Sequence, residues 1–456
     1  MRMRVVAEPA RRVPVREEAD VIVCGGGPSG IAAALSAARA GAKTLLVERY
    51  GFLGGMGTVG MVSTFAPGYH DKKRFIIGGI FAEIRTRLQA RDAIILTNRK
   101  GWEPFHPEVY KHLVFELLQE AGVKVLCHTL VVDAVTEGDR IAALLVESKA
   151  GRQALIGRVY VDATGDGDVA ARAGVPFEIG RVPDQAVQPM TLMYLLGNVD
   201  VARVAEALRK TERRGVWETD DGRVYLNATG FQDEVQQARV DGCLPTINRD
   251  HVSSIFTIPW LPGVVGVNFG RVTGLDPLDP EALTMAEWAG RQQVLEGLAF
   301  LRKYVPGFEN AQLVATAPQI GVRESRRIKG DYILTQDDIL AQRQFDDVIA
   351  QSCYMIDIHL PDSDKTTIVK LPPGTHYDIP YRSLVPVNID NLLLAGRCIS
   401  ATHEAQGSLR VQAVSMAIGE AAGAAAALSV RQGCSPRRLA TALLQSQLEE
   451  QGAILT

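Results

Sequence analysis

The sequence lacks any cysteine pattern that holds a metal. Its six cysteines (Cys24, Cys127, Cys243, Cys353, Cys398 and Cys434) are widely scattered, form no CxxC pair and join no histidine cluster at ligand spacing. This argues against a zinc site, an iron–sulfur cluster and a dithiol redox centre, so no metal is expected. Long apolar runs are also missing: the nearest candidate, Ala421 to Leu428, falls far short of the roughly 20 residues that span a bilayer. There is no excess of charge of either sign, with a formal net charge of -3 and 22% charged residues, which leaves no basic surface for nucleic acid. The Arg11–Arg12 pair near the start is followed by ValProValArgGluGluAlaAsp rather than by the apolar stretch of an export signal, and the expected location is cytoplasmic.

What is present is a dinucleotide site. AlaAspValIleValCys (19–24) is a near-continuous apolar run of the kind buried in a parallel sheet. Gly25, Gly27 and Gly30 follow as G-x-G-x-x-G, with Pro28 and Ser29 between them. The first glycine permits the bend, the second admits a pyrophosphate to the backbone, and the third lets helix and strand pack closely. The helix predicted from Ser29 to Ala40 points its N-terminal amides at the phosphates. Glu48 ends the second strand, LysThrLeuLeuValGlu, where a carboxylate accepts from a ribose 2′-hydroxyl and disfavours a 2′-phosphate. By itself this unit binds an ADP moiety and leaves NAD and FAD open.

Later segments favour FAD. Arg49 leads into a second glycine-rich loop that contains Gly54, Gly55 and Met56, backbone that an FAD needs along its longer course. Residues 107–120 read as a helix, residues 122–135 as paired strand segments, and ValTyrValAspAlaThr (159–164) as a buried strand ending in a turn that carries Asp166 and Asp168. For those two carboxylates, turn geometry and capping are the expected roles. AsnLeuLeuLeuAlaGlyArg (391–397) is a strand that precedes a helix made almost wholly of small residues from Ala413 to Ala427. The small side chains imply close approach to the sheet, and the helix start offers about half a positive charge to an anionic group.

The segments VIVCGGGPSGIAAALSAARAGAKTLLVER, GFLGGMGT, VYVDATGDGDVAARAG, QPMTLM, APQIGVRESRRIKGDYILTQDD and NLLLAGRCISATHEAQGSLRVQAVSMAIGEAAGAAAAL resemble the FAD-dependent oxidoreductases of the glutathione-reductase-like superfamily. Within it they resemble the bacterial group near the fumarate reductase and succinate dehydrogenase flavoproteins. The resemblance implies that Glu48 holds the adenosine ribose, that Val131 meets the adenine through its backbone, and that Ala163, Thr164 and Gly165 line the ADP side. It further implies Gly54 to Met56 beside the pyrophosphate and ring, and Arg49, Gly396, Arg397, Arg410 and Val411 at the cofactor. His403 resembles the His of a HisGlyAlaAsn-type segment and is the expected proton-transferring residue, although Gly407 stands where that segment carries its Arg.

The expected architecture is α/β, a Rossmann-like FAD-binding domain with helices on both faces of a parallel sheet, interrupted by an α+β substrate or cap domain. Its expected divisions are an N-terminal arm (1–16), a first FAD part (17–180), the insertion (181–375) and a second FAD part with C-terminal helices (376–456). The insertion carries no second G-x-G-x-x-G, so electrons are expected from an organic substrate rather than from a second nucleotide. One amphipathic helix is predicted over 280–304, stopped by Pro306. In GlyValArgGluSerArgArgIleLysGly (321–330), Arg323 or Arg326 is expected to bind an anionic substrate, against an alternative of salt bridges between domains. Tyr381, Arg382, His376 and His106 are further substrate-contact candidates. The function expected is an FAD-dependent dehydrogenase or oxidase moving hydride between a small polar, anionic molecule and flavin N5, with oxygen, a quinone or a protein as electron acceptor. An NAD-dependent dehydrogenase and a non-catalytic binding protein on a flavoprotein scaffold are the alternatives. The Arg-rich arm is a candidate interface for a homo-oligomer.

Overall fold

The computed structural model describes residues 6–97, 102–182, 184–210, 215–218 and 224–456. The first five residues of the expected arm lie outside that set. The chain is mixed α/β, with two large sheets, four two-stranded ones among the described residues, and two main apolar cores.

The first sheet has seven strands. Val15–Cys24 lies at its centre, parallel to Thr44–Val47 on one side and to Gly151–Asp162 on the other. Lys124–Leu126 extends the parallel part beyond Thr44–Val47, and Leu392–Leu394 joins the far half of Gly151–Asp162, again parallel. The near half of that long strand pairs antiparallel with Arg140–Ser148, which pairs with Leu130–Glu137. The segments over 122–135, expected from their sequence to pair with each other, do not: they sit at opposite edges of one sheet, each taking a different neighbour. The parallel strands Val15–Cys24, Thr44–Val47, Gly151–Asp162 and Leu392–Leu394 end on the same side, where ligands collect in open α/β sheets.

The second sheet has six strands, all paired antiparallel, in the order Val216–Glu218, Val224–Gly230, Val252–Thr257, Val265–Asn268, Tyr194–Gly197, Gln312–Thr316. Helix Pro280–Tyr304 belongs to its core and begins on Asp279, whose side chain accepts from Ala282 N, and on Pro280 at the first helical turn. Apolar residues from Met190 to Val322 form this second core, whereas Ile328, Leu334, Ile349, Ile356 and Ile358 belong to the first. The chain returns through Arg326–Ile328, which pairs antiparallel with Phe177–Ile179.

Helix Gln412–Gln432 corrects the expectation that no segment is long and apolar enough to cross a membrane. By length and composition it qualifies; Gln412, Ser415 and Glu420 interrupt the apolar run and hide it from a search for unbroken stretches. In the fold it is buried inside the protein. Its closest approach is to the glycine-motif helix Pro28–Arg39 rather than to the sheet. A Cβ on Gly419 would stand 2.0 Å from the Ser29 carbonyl oxygen, and one on Gly423 2.0 Å from that of Ala33. The small-residue composition is thus a helix-to-helix requirement.

Candidate functional site

A cavity of about 800 Å³ runs from the carboxyl ends of the parallel strands to the inner face of the second sheet. At one end it is lined by Gly25, Gly27, Pro28 and Ser29. Gly25 takes φ +100, and a Cβ there would collide with the Ala163 carbonyl at 2.4 Å, so strand and turn meet backbone to backbone. The helix that follows starts at Gly27 with no side-chain cap, which leaves its first amides free toward the cavity. Glu48 is buried and its carboxylate is fixed by two backbone donors, Gly26 N at 2.6 Å and Tyr50 N at 2.9 Å. Arg49, Gly55 and Met56 form the next stretch of wall, and Val131, Ala163, Thr164 and Gly165 the opposite one. Asp162, beneath Thr164, is fully buried; burial pushes its pKa up to about 6, against the opposing hydrogen bonds from Ala170 N and Thr164.

Midway, helix Gln412–Gln432 presents its start to the cavity. Val411 occupies the cap position without a side-chain cap, and both Val411 and Gln412 line the wall. Gln412 is anchored by its amide nitrogen on the Val62 and Thr64 carbonyls, and its side-chain oxygen is buried without a partner. Arg397 also lines the cavity, donating to the Gly165 and Val322 carbonyls and to Asp166 at 2.6 Å, which ties the two cores together.

The far end is a cluster of cations. Arg323 spends Nη1 on two neutral acceptors, the Pro189 carbonyl at 2.6 Å and Thr191 Oγ1 at 2.8 Å. It lines the cavity, and no carboxylate of the described residues lies in ion-pair range of it. Burial, then the charges of Arg410, Arg249 and Arg271, push its pKa well below the ordinary guanidinium value. Arg410 donates to the Asp357 carbonyl at 2.9 Å and to Gln188 Oε1 at 3.2 Å, and its Nε is buried without a partner. Gln188 is the hub of this end: its oxygen also accepts from His359 N, its backbone NH donates to Glu324, and its side-chain amide reaches Gln406. His359 is driven well below its ordinary pKa by burial and by the four surrounding arginines, Arg323, Arg410, Arg249 and Arg271. The second sheet adds a wall of Asn227, Ser254, Phe256 and Asn268.

Comparison with known proteins decides the family. A family model described as FAD dependent oxidoreductase matches residues 20–448. The chain belongs to the FAD-dependent oxidoreductase family. This FAD-dependent oxidoreductase is also 31% identical over 134 residues to the thiamine thiazole synthase of Aeropyrum pernix, a match covering 28% of the chain and 43% of that relative, less than half its length. Among solved structures it is similar to a geranylgeranyl bacteriochlorophyll reductase-like protein of Thermoplasma acidophilum, at 12% identity, coverage of 95% of this chain and 83% of that one, and a TM-score of 0.46. It is likewise similar to the p-nitrophenol 4-monooxygenase of Pseudomonas putida, at 13% identity, coverage of 95% and 84%, and a TM-score of 0.45.

The residues present fit FAD, the cofactor of the family. Two helix starts without side-chain caps open on one cavity, one beside Gly27 and one at Gln412, and each leaves amides that an anionic group satisfies. A Cβ on Gly27 would touch nothing closer than 3.8 Å, so this position faces open cavity where a pyrophosphate can approach the backbone. The second amide cluster, at the start of helix Gln412–Gln432, has no role for an NAD bound at the first motif alone and has one for the ring of an FAD.

Some expected residues sit elsewhere in this FAD-dependent oxidoreductase. Gly30, Gly54 and Gly396 lie behind the lining: a Cβ on Gly30 would stand 1.7 Å from the Gly25 carbonyl, and one on Gly396 2.5 Å from Ser29 Oγ. His403 is buried outside the cavity lining, because a short helix, His403–Leu409, turns its ring inward and places Nδ1 2.8 Å from Glu324 Oε1. Arg326 is also outside the lining, paired with Asp168 at 2.9 Å and with the Asp166 carbonyl, and it lies over the Phe177 ring. Asp166 and Asp168 thus serve as clamps between the cores in addition to shaping the turn. Tyr381, Arg382, His376 and His106 are outside the cavity lining: Tyr381 bonds the Pro436 carbonyl, Arg382 grips Asp347, His376 sits near Asp71 and His106 caps helix Pro107–Glu120. Sequence reasoning missed Asp357, His359, Tyr354 and Gln188. A signal existed for three of them: Ile356, Asp357, Ile358 and His359 alternate apolar and polar at strand period, and Gln188 opens the QPMTLM segment.

Proposed function

We propose that this enzyme moves hydride between a small polar organic anion and flavin N5, with Arg323 and Arg410 binding the anionic group. The single observation that carries this reading is Arg323, a guanidinium that faces the cavity with neutral partners only. A cavity-facing cation whose hydrogen-bond partners are all neutral, crowded by Arg410, Arg249 and Arg271 and opposed by Asp357 alone, leaves positive charge for an anionic ligand to balance. Bound FAD supplies two-electron hydride chemistry. The chain's own residues do the rest. Arg323 keeps its other nitrogens for a planar carboxylate. Asn227, Ser254 and Asn268 offer hydrogen bonds to a polar substrate, and Phe256 an apolar contact.

His403 enters this proposal as a positioning residue. With Arg327 it holds Glu324, the neighbour of Arg323 in the chain, and Glu324 in turn accepts from Gln188 N, whose side chain orients Arg410. The glycine loops and the terminal strand and helix support a place in the glutathione-reductase-like superfamily, near the fumarate reductase and succinate dehydrogenase flavoproteins. The reading does not extend to fumarate chemistry, because His403 faces Glu324 and Gly407 replaces the Arg of that group's segment. The division into FAD-binding parts and an inserted substrate unit is part of the same proposal, with the insertion placed at the second core.

The test is a titration of purified holoenzyme with acetate, glycolate and benzoate, and with the corresponding neutral amides, followed by flavin absorbance. Saturable perturbation by the carboxylates and none by the amides is expected. Equal responses would remove the anion from the proposal.

A further inference from the structure

Of the acidic side chains lining the cavity, Asp357 is the one that stands beside Arg410 and acts on Arg323. In strand Ile356–His359 the residues Ile356 and Ile358 are buried in the first core, so Asp357 and His359 turn together to the opposite face and line the cavity. Asp357 Oδ2 is 3.6 Å from Arg410 Nη2, and its Oδ1 is 3.6 Å from His359 Nε2. The other charged or titratable groups that act on it are Arg323, Arg249 and the phenol of Tyr354.

The two plausible competitors for a proton are already committed. His359 Nδ1 lies 3.2 Å from Arg249 Nη2 and 3.1 Å from Thr366 Oγ1. Arginine only donates, so Nδ1 is an acceptor and the neutral ring carries its proton on Nε2, directed toward Asp357 as a donor. Tyr354 is a buried phenol that already holds its proton. Its role toward Asp357 is that of a donor.

We infer that Asp357 is the proton acceptor of this site, taking up a proton when an organic anion occupies the subsite formed by Arg323 and Arg410. In the free site the carboxylate is balanced by Arg410. An arriving carboxylate claims the same guanidinium groups, and two anions confined beside one another cannot both keep full charge. The inference rests on the anion reading above. The proton comes from solvent as the anion binds, so the step breaks no bond of the ligand and needs no oxidant.

The test uses calorimetry of acetate binding to holoenzyme in two buffers of different ionisation enthalpy. Wild type is expected to take up about half to one proton per acetate near neutral pH, and acetate affinity to weaken as pH rises. Asp357→Asn is expected to take up none and to bind acetate about tenfold more tightly, since a like charge is gone. Asp357→Glu, a second variant should the Asn protein fail to fold, is expected to keep the uptake. Acetate binding without proton uptake in wild type, or uptake that survives in Asp357→Asn, would overturn the assignment and leave the anion site standing. No acetate binding to wild type would instead bring down the anion site, and this inference with it.

Discussion

Replacing Arg323 by Met separates a binding role from a structural one, because the two predict opposite signs of stability. Met reproduces the length and flexibility of the side chain while removing its charge. In the free protein the substitution leaves the Pro189 carbonyl without the Nη1 donor, worth about 1–3 kcal/mol; Thr191 Oγ1 still donates to the Gly270 carbonyl at 3.0 Å. Against this, it removes a half-buried cation that pairs with no carboxylate and that stands among Arg410, Arg249 and Arg271 with Asp357 opposing them, a burden of about 2–4 kcal/mol after relaxation. The second effect is the larger, so Arg323→Met is expected to melt at a higher temperature than wild type, by one to a few degrees for a net gain of about 1 kcal/mol or more. Acetate affinity is expected to fall by roughly 30-fold to 1,000-fold, corresponding to about 2–4 kcal/mol for a charge-assisted contact. Thermal unfolding and flavin-detected acetate titration on the same preparation check both. A variant that melts lower and binds acetate as wild type does would make Arg323 a packing residue and refute the reasoning.

Three other outcomes are expected. Gly423→Ala places a Cβ 2.0 Å from the Ala33 carbonyl, and because both partners are backbone the two helices must separate; destabilisation of about 1–3 kcal/mol and a lower flavin content are expected by thermal melting and absorbance. Glu420 is buried in the same helix, with Oε2 accepting from Ile80 N, and burial raises its pKa from the ordinary 4.5 to about 8. A raised folded-state pKa means that its contribution is fully present below about pH 4.5 and is lost as pH climbs to about 8, a change of roughly 4–5 kcal/mol; Glu420→Gln should flatten the stability-versus-pH curve over that window. His403→Ala should retain FAD, weaken acetate binding several-fold and leave the pH dependence of that binding in place, with His403→Asn restoring much of the loss by donating to Glu324; a pH profile that loses its titrating group would make His403 the proton carrier instead.

The cofactor end of the molecule could be read from the chain because its determinants are local. Gly25, Gly27 and Glu48 fall within one strand–turn–helix–strand unit, and the spacing alone brings the Glu48 carboxylate to Gly26 N. Helix Pro280–Tyr304 was equally legible, since Asp279 and Pro280 start it and Pro306 follows its end. Position in the loop before the last helix singled out His403, but position could not show that a seven-residue helix would turn its ring toward Glu324. The cation cluster was hidden for a related reason. Arg249, Arg323 and Arg410 come from three distant segments, and they meet only after Arg326–Ile328 pairs with Phe177–Ile179 and brings the chain back to the first core. Gln188 has an unremarkable amide in sequence, and its importance comes from four partners gathered by both cores.

The most direct measurement is a crystal structure of the holoenzyme grown with FAD and soaked with acetate or glycolate. The account predicts density for the carboxylate between Arg323 and Arg410, against the flavin ring and within reach of Asp357. Carboxylate bound only elsewhere, or an Arg323 whose guanidinium is turned onto an acidic side chain of the protein, would contradict it.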